Sequence, residues 1–123
     1  MEKLKVLLVD DEEEFIKTLS ERLQLRGFVA EIAFNGEHAL KIVNDRLPDV
    51  MVLDLKMPGI DGMEVLRQVK KTYPEIQIII LTGHGSEKDK REALHFGAYD
   101  YLQKPVEINT LTDKINSAHK YKL

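Results

Sequence analysis

Asp10 and Asp11, Asp54, Thr82 and Lys104 each stand at or just past the end of a short apolar run. The runs are residues 4–9 (LKVLLV), 50–53 (VMVL), 76–81 (IQIIIL) and 99–102 (YDYL). Together these positions offer three carboxylates, one hydroxyl and one ammonium. Three carboxylates brought together repel, and one ammonium does not balance them. A hard divalent cation with oxygen ligands, Mg2+ above all, would. Taken singly, each residue has an ordinary explanation. Acids at a solvated helix N-terminus account for Asp10-Asp11, and Glu12, Glu13 and Glu14 are read that way outright. A lone Asp54 suits a cap, Thr82 a β-branched strand end, and Lys104 the surface. Their joint placement favours chemistry. Asp54 reads as a carboxylate nucleophile that carries a phosphoryl group as an acyl phosphate. Such a reaction needs a cation for the incoming phosphoryl oxygens, with a positioned hydroxyl and ammonium as donors.

Four separate stretches must converge for this to happen, so the elements that carry them matter. Apolar residues recur at helical spacing between the runs. Phe15, Ile16, Leu19 and Leu23 are followed by Gly27 at a C-cap position, and Ala39, Leu40 and Val43 are stopped near Pro48. Val65, Leu66 and Val69 are closed by Pro74. Ala93, Leu94 and Phe96 lie between a capping Ser86 and Gly97, and Ile108, Leu111 and Ile115 mark the last helix. A further strand, residues 28–33, ends at Asn35-Gly36, and residues 56–62 (KMPGIDG) read as a loop. The result is five strand-helix pairs in strict alternation. Ile78-Ile79-Ile80-Leu81 does not alternate with polar residues, so both sheet faces are expected to be covered. That predicts a doubly wound α/β fold around a parallel sheet. In such sheets ligands bind outside the carboxyl ends of the strands, where the strand order switches. The five residues fall at those ends.

Composition narrows the class. The 123 residues fit one domain and can bury roughly two-thirds of their unfolded surface without staples. Zero Cys removes disulfides, thiol nucleophiles and thiolate metal sites, and is compatible with a reducing compartment. A net charge of −3 argues against direct nucleic-acid binding. No apolar run approaches the ~20 residues of a membrane span, and Met1-Glu2-Lys3 does not open a signal peptide. A soluble, cytoplasmic single domain is the expectation. His38, His95 and His119 are scattered rather than clustered as ligands, and Met51, Met57 and Met63 are read as packing. Residues 88–92 (KDKRE) read first as a solvated helix face.

Four blocks carry a resemblance: VLLVDDEEEF (residues 6–15), DVMVLDLKMPGIDGMEVL (49–66), IIILTGHG (78–85) and GAYDYLQKPVE (97–107). With these blocks in this order and spacing, the chain resembles the receiver domain of bacterial two-component response regulators. The resemblance runs from residue 4 to about residue 121 and implies a single receiver domain over residues 1–123. It implies a flavodoxin-like (βα)5 fold with strand order 2-1-3-4-5. It also assigns roles. Asp54 is similar to the family's phosphoacceptor, Asp11 to its direct Mg2+ ligand, and Asp10 to its acidic-pocket partner, acting partly through water. The backbone carbonyl of Lys56 is implied as the remaining protein ligand of the metal. Thr82 corresponds to the switch hydroxyl, Lys104 to the phosphate-binding lysine, with a cis bond before Pro105, and Tyr101 to the switch aromatic. Lys56 and His84 stand where the family tunes the lifetime of its phosphoryl group.

The implied partners are a sensor histidine kinase or phosphotransfer protein upstream, and an output domain or protein downstream. The implied moving surface comprises the fourth helix, fifth strand and fifth helix, roughly residues 86–121. Tyr101 is expected to start from a solvent-facing rotamer, and a homodimer through that surface is a further expectation. LTGHGS and AYDYLQKP resemble receivers attached to ATPase-type transcription activators. The domain would modify and reset itself rather than turn over a substrate. Three rivals remain. An Asp-nucleophile phosphatase typically has a second Asp two residues after the first, where this chain has Lys56. A flavin module wants an anion-friendly loop after the first strand, where this chain has DDEEE. A degenerate, docking-only receiver would lack site residues that are all present here.

Overall fold

The alternation of apolar runs and helical patterns becomes five strands and five helices in strict succession. In the computed structural model, which describes residues 3–121, β1 (Lys5–Val9), β2 (Val29–Ala33), β3 (Val50–Leu53), β4 (Gln77–Thr82) and β5 (Asp100–Gln103) alternate with α1 (Glu13–Leu25), α2 (Gly36–Asp45), α3 (Gly62–Thr72), α4 (Glu87–His95) and α5 (Ile108–Lys120). Met1 and Glu2, part of the segment read as opening no signal peptide, lie outside the described residues, as do Lys122 and Leu123. All strand pairings are parallel, in the order β2-β1-β3-β4-β5. The expected fold class and strand order are therefore observed.

Side-chain alternation along the strands sorts the core into two layers. Leu7, Val9, Met51, Leu53, Ile78 and Ile80 face one side, where Ala39, Ile42, Val43, Val65, Leu66, Val69 and Ala93 of α2, α3 and α4 cover them. Val6, Leu8, Val50, Val52, Ile79 and Leu81 face the other, under Ile16, Leu19, Leu23, Leu111, Ile115 and Ala118 of α1 and α5. Strands buried on both faces are apolar at every position, and β3 is buried throughout.

Local chemistry sets the element ends. Gly27 follows the α1 C-cap at φ +91°, a left-handed conformation that glycine adopts without a Cβ penalty. Asn35 and Asp61 cap α2 and α3 by accepting from His38 and Glu64 N–H, at 2.8 and 3.0 Å. Ser86 caps α4 as expected, and Asp89 completes a reciprocal capping box. Helix α2 stops at Asp45, near Pro48 as expected, and Arg46 turns away to bond Glu31 on β2. Two details differ from the sequence reading. Thr82 is the last residue of β4 rather than the first beyond it. Within α4 only Ala93 is buried; Leu94 is 43% exposed and Phe96 is the C-cap. A helix with so little buried apolar surface is held weakly.

Candidate functional site

The strand register delivers the site. Val9 pairs with Leu53, so the residues that follow, Asp10 and Asp54, leave adjacent strands side by side. Asp10 N–H donates to Ala33 O at 3.1 Å, and Asp54 N–H to Val9 O at 3.0 Å. Across β3, Thr82 pairs with Gln103, and Lys104 N–H donates to the Thr82 carbonyl at 2.9 Å. The Lys104–Pro105 peptide is cis, as the resemblance implied. Main-chain bonds thus fix all four positions before any side chain is considered.

Burial selects the same residues. Among the described residues, the buried polar and charged ones are Asp10, Ser20, Asp54 and Thr82, three of which stand at this end of the sheet. Carboxylate oxygens of Asp10, Glu12 and Asp54 gather within 4.8 Å of one another. The Lys104 ammonium donates to Asp10 Oδ2 and to Glu12 Oε1, each at 2.7 Å, and lies 4.3 Å from the Phe15 ring centroid. The other Asp10 oxygen accepts from Glu12 N–H at 2.9 Å. Burial pushes the Asp10 carboxyl above its usual range, although Lys104 pulls against it. The Lys104 hydrogen bond holds Glu12 below its usual range. For Lys104 burial acts downward, but its bonds to Asp10 and Glu12 outweigh that and raise it.

The reading of Glu12 changes here. Glu12 is the N-cap of α1 without a capping side-chain bond, and its carboxylate reaches Lys104 instead of serving only the helix dipole. Its position two residues past the strand end, on a side chain long enough to turn back, is the available signal in the sequence. Asp11 is exposed and stands outside the carboxylate cluster. Lys56 and His84 are exposed at the rim. His84 N–H donates to Thr82 Oγ1 at 3.4 Å, and Lys56 Nζ lies 3.7 Å from Asp89 Oδ2. Asp89 thereby leaves the stretch read as a plain solvated face.

Tyr101 does not start from solvent. A Cβ placed on Gly85 would lie 1.3 Å from Tyr101 Oη and 2.9 Å from Thr82 Cγ2, so the phenol is packed inward beneath the β4–α4 loop, with Thr82 beside it. Only glycine at position 85 leaves room for that ring. Oη is buried without a hydrogen-bond partner among the described residues. Burial, then Asp89 and Glu87, raise its ionisation above the usual phenol value. Tyr101→Phe removes this unpaired hydroxyl and is expected to stabilise the domain by about 1 kcal/mol, read as a higher urea midpoint. The sign with pH follows from the raised value. Stability from the neutral phenol is present below about pH 10 and is lost as pH rises through the raised value, a loss the Phe variant should not show.

Chemically, the pocket offers several carboxylate oxygens, one ammonium and one buried hydroxyl. An all-oxygen anionic donor set fits a hard divalent cation of the Mg2+ type. Among the described residues no helix is long and apolar enough to cross a membrane.

Comparison with known proteins agrees with this geometry. The family model described as the response regulator receiver domain matches residues 6–116. A putative NtrX-like response regulator of Rickettsia typhi is 40% identical over 113 residues, covering 90% of this chain and 24% of that protein. The uncharacterized transcriptional regulatory protein YkoG of Bacillus subtilis is 37% identical, covering 96% of this chain and 52% of that protein. The chain thus spans about a quarter to a half of the length of these relatives. Among solved structures, a CheY-like receiver domain protein from Methanospirillum hungatei superposes with a TM-score of 0.94 at 27% identity, covering 98% of this chain and 96% of that one.

Proposed function

Because this chain belongs to the response regulator receiver domain family, we propose that residues 1–123 form one receiver domain whose Asp54 accepts a phosphoryl group. The observation that supports this most is the convergence of buried Asp10, Asp54 and Thr82 with Lys104 at the carboxyl ends of the central strands. The donor is a phosphohistidine on a sensor histidine kinase or phosphotransfer protein. An Asp54 oxygen attacks phosphorus in line. The bond from phosphorus to the donor nitrogen breaks, and its electron pair stays on that nitrogen. Lys104 donates to one phosphoryl oxygen and Thr82 Oγ1 to another. Mg2+ would be held by Asp10, Asp11, Asp54 and the Lys56 carbonyl, and it supplies charge neutralisation for the phosphoryl oxygens. Hydrolysis later returns the carboxylate. The domain modifies and resets itself and is not a turnover enzyme.

The switch follows from packing. Thr82 must release its long contact with His84 N–H to turn toward the phosphoryl group. Because Thr82 and Tyr101 flank Gly85, that turn alters the slot in which the Tyr101 ring sits. Helix α4, with Ala93 its one buried residue, is the element most readily displaced. Shifting such a switch from 1:99 to 99:1 takes about 5.5 kcal/mol, within reach of a few charge-assisted hydrogen bonds of ~1.5–3 kcal/mol each. The α4–β5–α5 face then signals to an output domain or protein, or pairs with a second copy. Transcription regulation is the output class that YkoG's description suggests. Lys56 and His84, at the rim, set the phosphoryl lifetime. Action in the cytoplasm, without direct nucleic-acid contact by this domain, goes with this reading.

The test is metal-dependent labelling. With Mg2+ and acetyl phosphate the chain is expected to gain one phosphoryl mass, and excess chelator is expected to abolish the gain. Equal labelling with and without chelator would exclude the proposed role of the metal.

A further inference from the structure

Lys104 is shared by two carboxylates that differ in freedom. The Asp10 side chain is 3% exposed and is pinned by Glu12 N–H at its other oxygen, whereas the Glu12 side chain is 62% exposed. Both hold the ammonium at 2.7 Å. An ammonium has three donors, and these two bonds occupy two of them. A phosphoryl group arriving on Asp54 needs one in the right direction. Asp10 cannot leave without stranding a buried charge, which is costly. Glu12 can swing into water at little cost, because an exposed ion pair is worth little net.

We propose that Glu12 is the exchangeable placeholder on Lys104: it holds one donor of the ammonium in the resting domain and is displaced by the incoming phosphoryl oxygen. This rests on the receiver reading of Asp54 and adds to it a positioning residue outside the five site residues. Glu12 is not a catalytic residue, since it leaves as the substrate arrives. The consequence is competition, because the Glu12 carboxylate and the phosphoryl oxygen draw on the same ammonium, so the resting contact slows phosphorylation. Glu13 is the natural comparison, because its carboxylate pairs with Lys17 at 3.9 Å rather than with Lys104.

The test uses the whole chain, Glu12→Gln and Glu13→Gln, with acetyl phosphate at saturating Mg2+, followed by intact mass. Glu12→Gln keeps the length of the side chain and weakens the competing bond. It is expected to speed phosphorylation about three- to tenfold, the equivalent of one weakened surface charge-assisted bond. Glu13→Gln removes the same charge one residue along and is expected to stay within about twofold of wild type. Mg2+ affinity, measured separately by calorimetry without phosphodonor, is expected to fall by less than about threefold in Glu12→Gln, the effect of one exposed neighbouring charge that is not itself a ligand. An unchanged or slower rate in Glu12→Gln would overturn the proposal. So would equal acceleration in Glu13→Gln, which would indicate general charge repulsion of the donor. A tenfold loss of Mg2+ affinity would instead make Glu12 a metal ligand and also overturn it. If the wild type itself takes no phosphoryl group, the receiver reading fails as well; if only the variant comparison fails, that reading stands.

Discussion

Asp54→Asn is expected to lower phosphorylation by acetyl phosphate at least about a thousandfold, because the amide keeps the shape of the side chain and loses the nucleophilic oxygen. Asp54 is 5% exposed at the end of a strand buried along its whole length, so the isosteric amide fits without repacking. Removing its charge also relieves a repulsion that pushes the neighbouring Asp10 carboxyl upward. The variant should therefore unfold at no lower urea concentration than wild type. Loss of transfer together with intact stability separates a lost nucleophile from a lost fold. Labelling of Asp54→Asn at the wild-type rate would remove Asp54 from the acceptor role.

Lys104→Met is expected to have the next largest effect, and to show it in three measurements of different sign. Methionine keeps an apolar stem against Phe15 but leaves Asp10 without its cation. Breaking a buried pair by deleting one partner costs about 3–5 kcal/mol if the other stays charged. Asp10 avoids part of that by holding its proton. Burial already raises its carboxyl, and deleting Lys104 removes the strongest influence acting downward. The sign follows: a folded-state pKa raised above the unfolded value leaves stability intact at low pH and loses it as pH rises through the folded value. The variant should thus approach wild-type stability below about pH 4, the ordinary carboxylate range, and fall behind toward neutrality. Phosphorylation should drop about a hundredfold or more, as when one preorganised donor is removed from a charged transition state. Mg2+ affinity should rise, because a competing cation has left the pocket. A pH series of urea unfolding curves, with and without Mg2+, checks all but the rate, and Mg2+ should restore much of the lost stability near neutrality.

Much of this is legible in the sequence because the residues concerned obey local rules. The apolar runs that end at Val9, Leu53 and Leu81 mark strands whose faces are both covered, and that specifies a parallel sheet with helices on either side. Since binding in such sheets occurs at the carboxyl ends of the strands, Asp10, Asp54, Thr82 and Lys104 can be placed together from their positions in the chain. Ser86 and Gly27 announce their helix ends through chemistry confined to a few residues. What cannot be read depends on side-chain direction in three dimensions. Glu12 resembles two neighbouring acids in type, and only its reach back to Lys104 distinguishes it from Glu13, which pairs along its own helix. Tyr101 reads as solvent-facing because nothing local shows that Gly85, on the other side of α4 in the chain, vacates the volume its ring fills. Asp89 reads as surface charge until the β3–α3 loop sets Lys56 beside it. In each case the deciding partner lies on another element, beyond the reach of periodicity or propensity.

The most direct test of the central claim is chemical trapping of the acceptor. After incubation with Mg2+ and acetyl phosphate, borohydride converts an aspartyl phosphate to homoserine, and peptide mass spectrometry locates it. The expected result is homoserine at position 54 alone, absent when donor or Mg2+ is withheld. Homoserine at Asp10 or Asp11, or a phosphoryl group that resists reduction because it sits on Thr82 or another hydroxyl, would contradict the assignment.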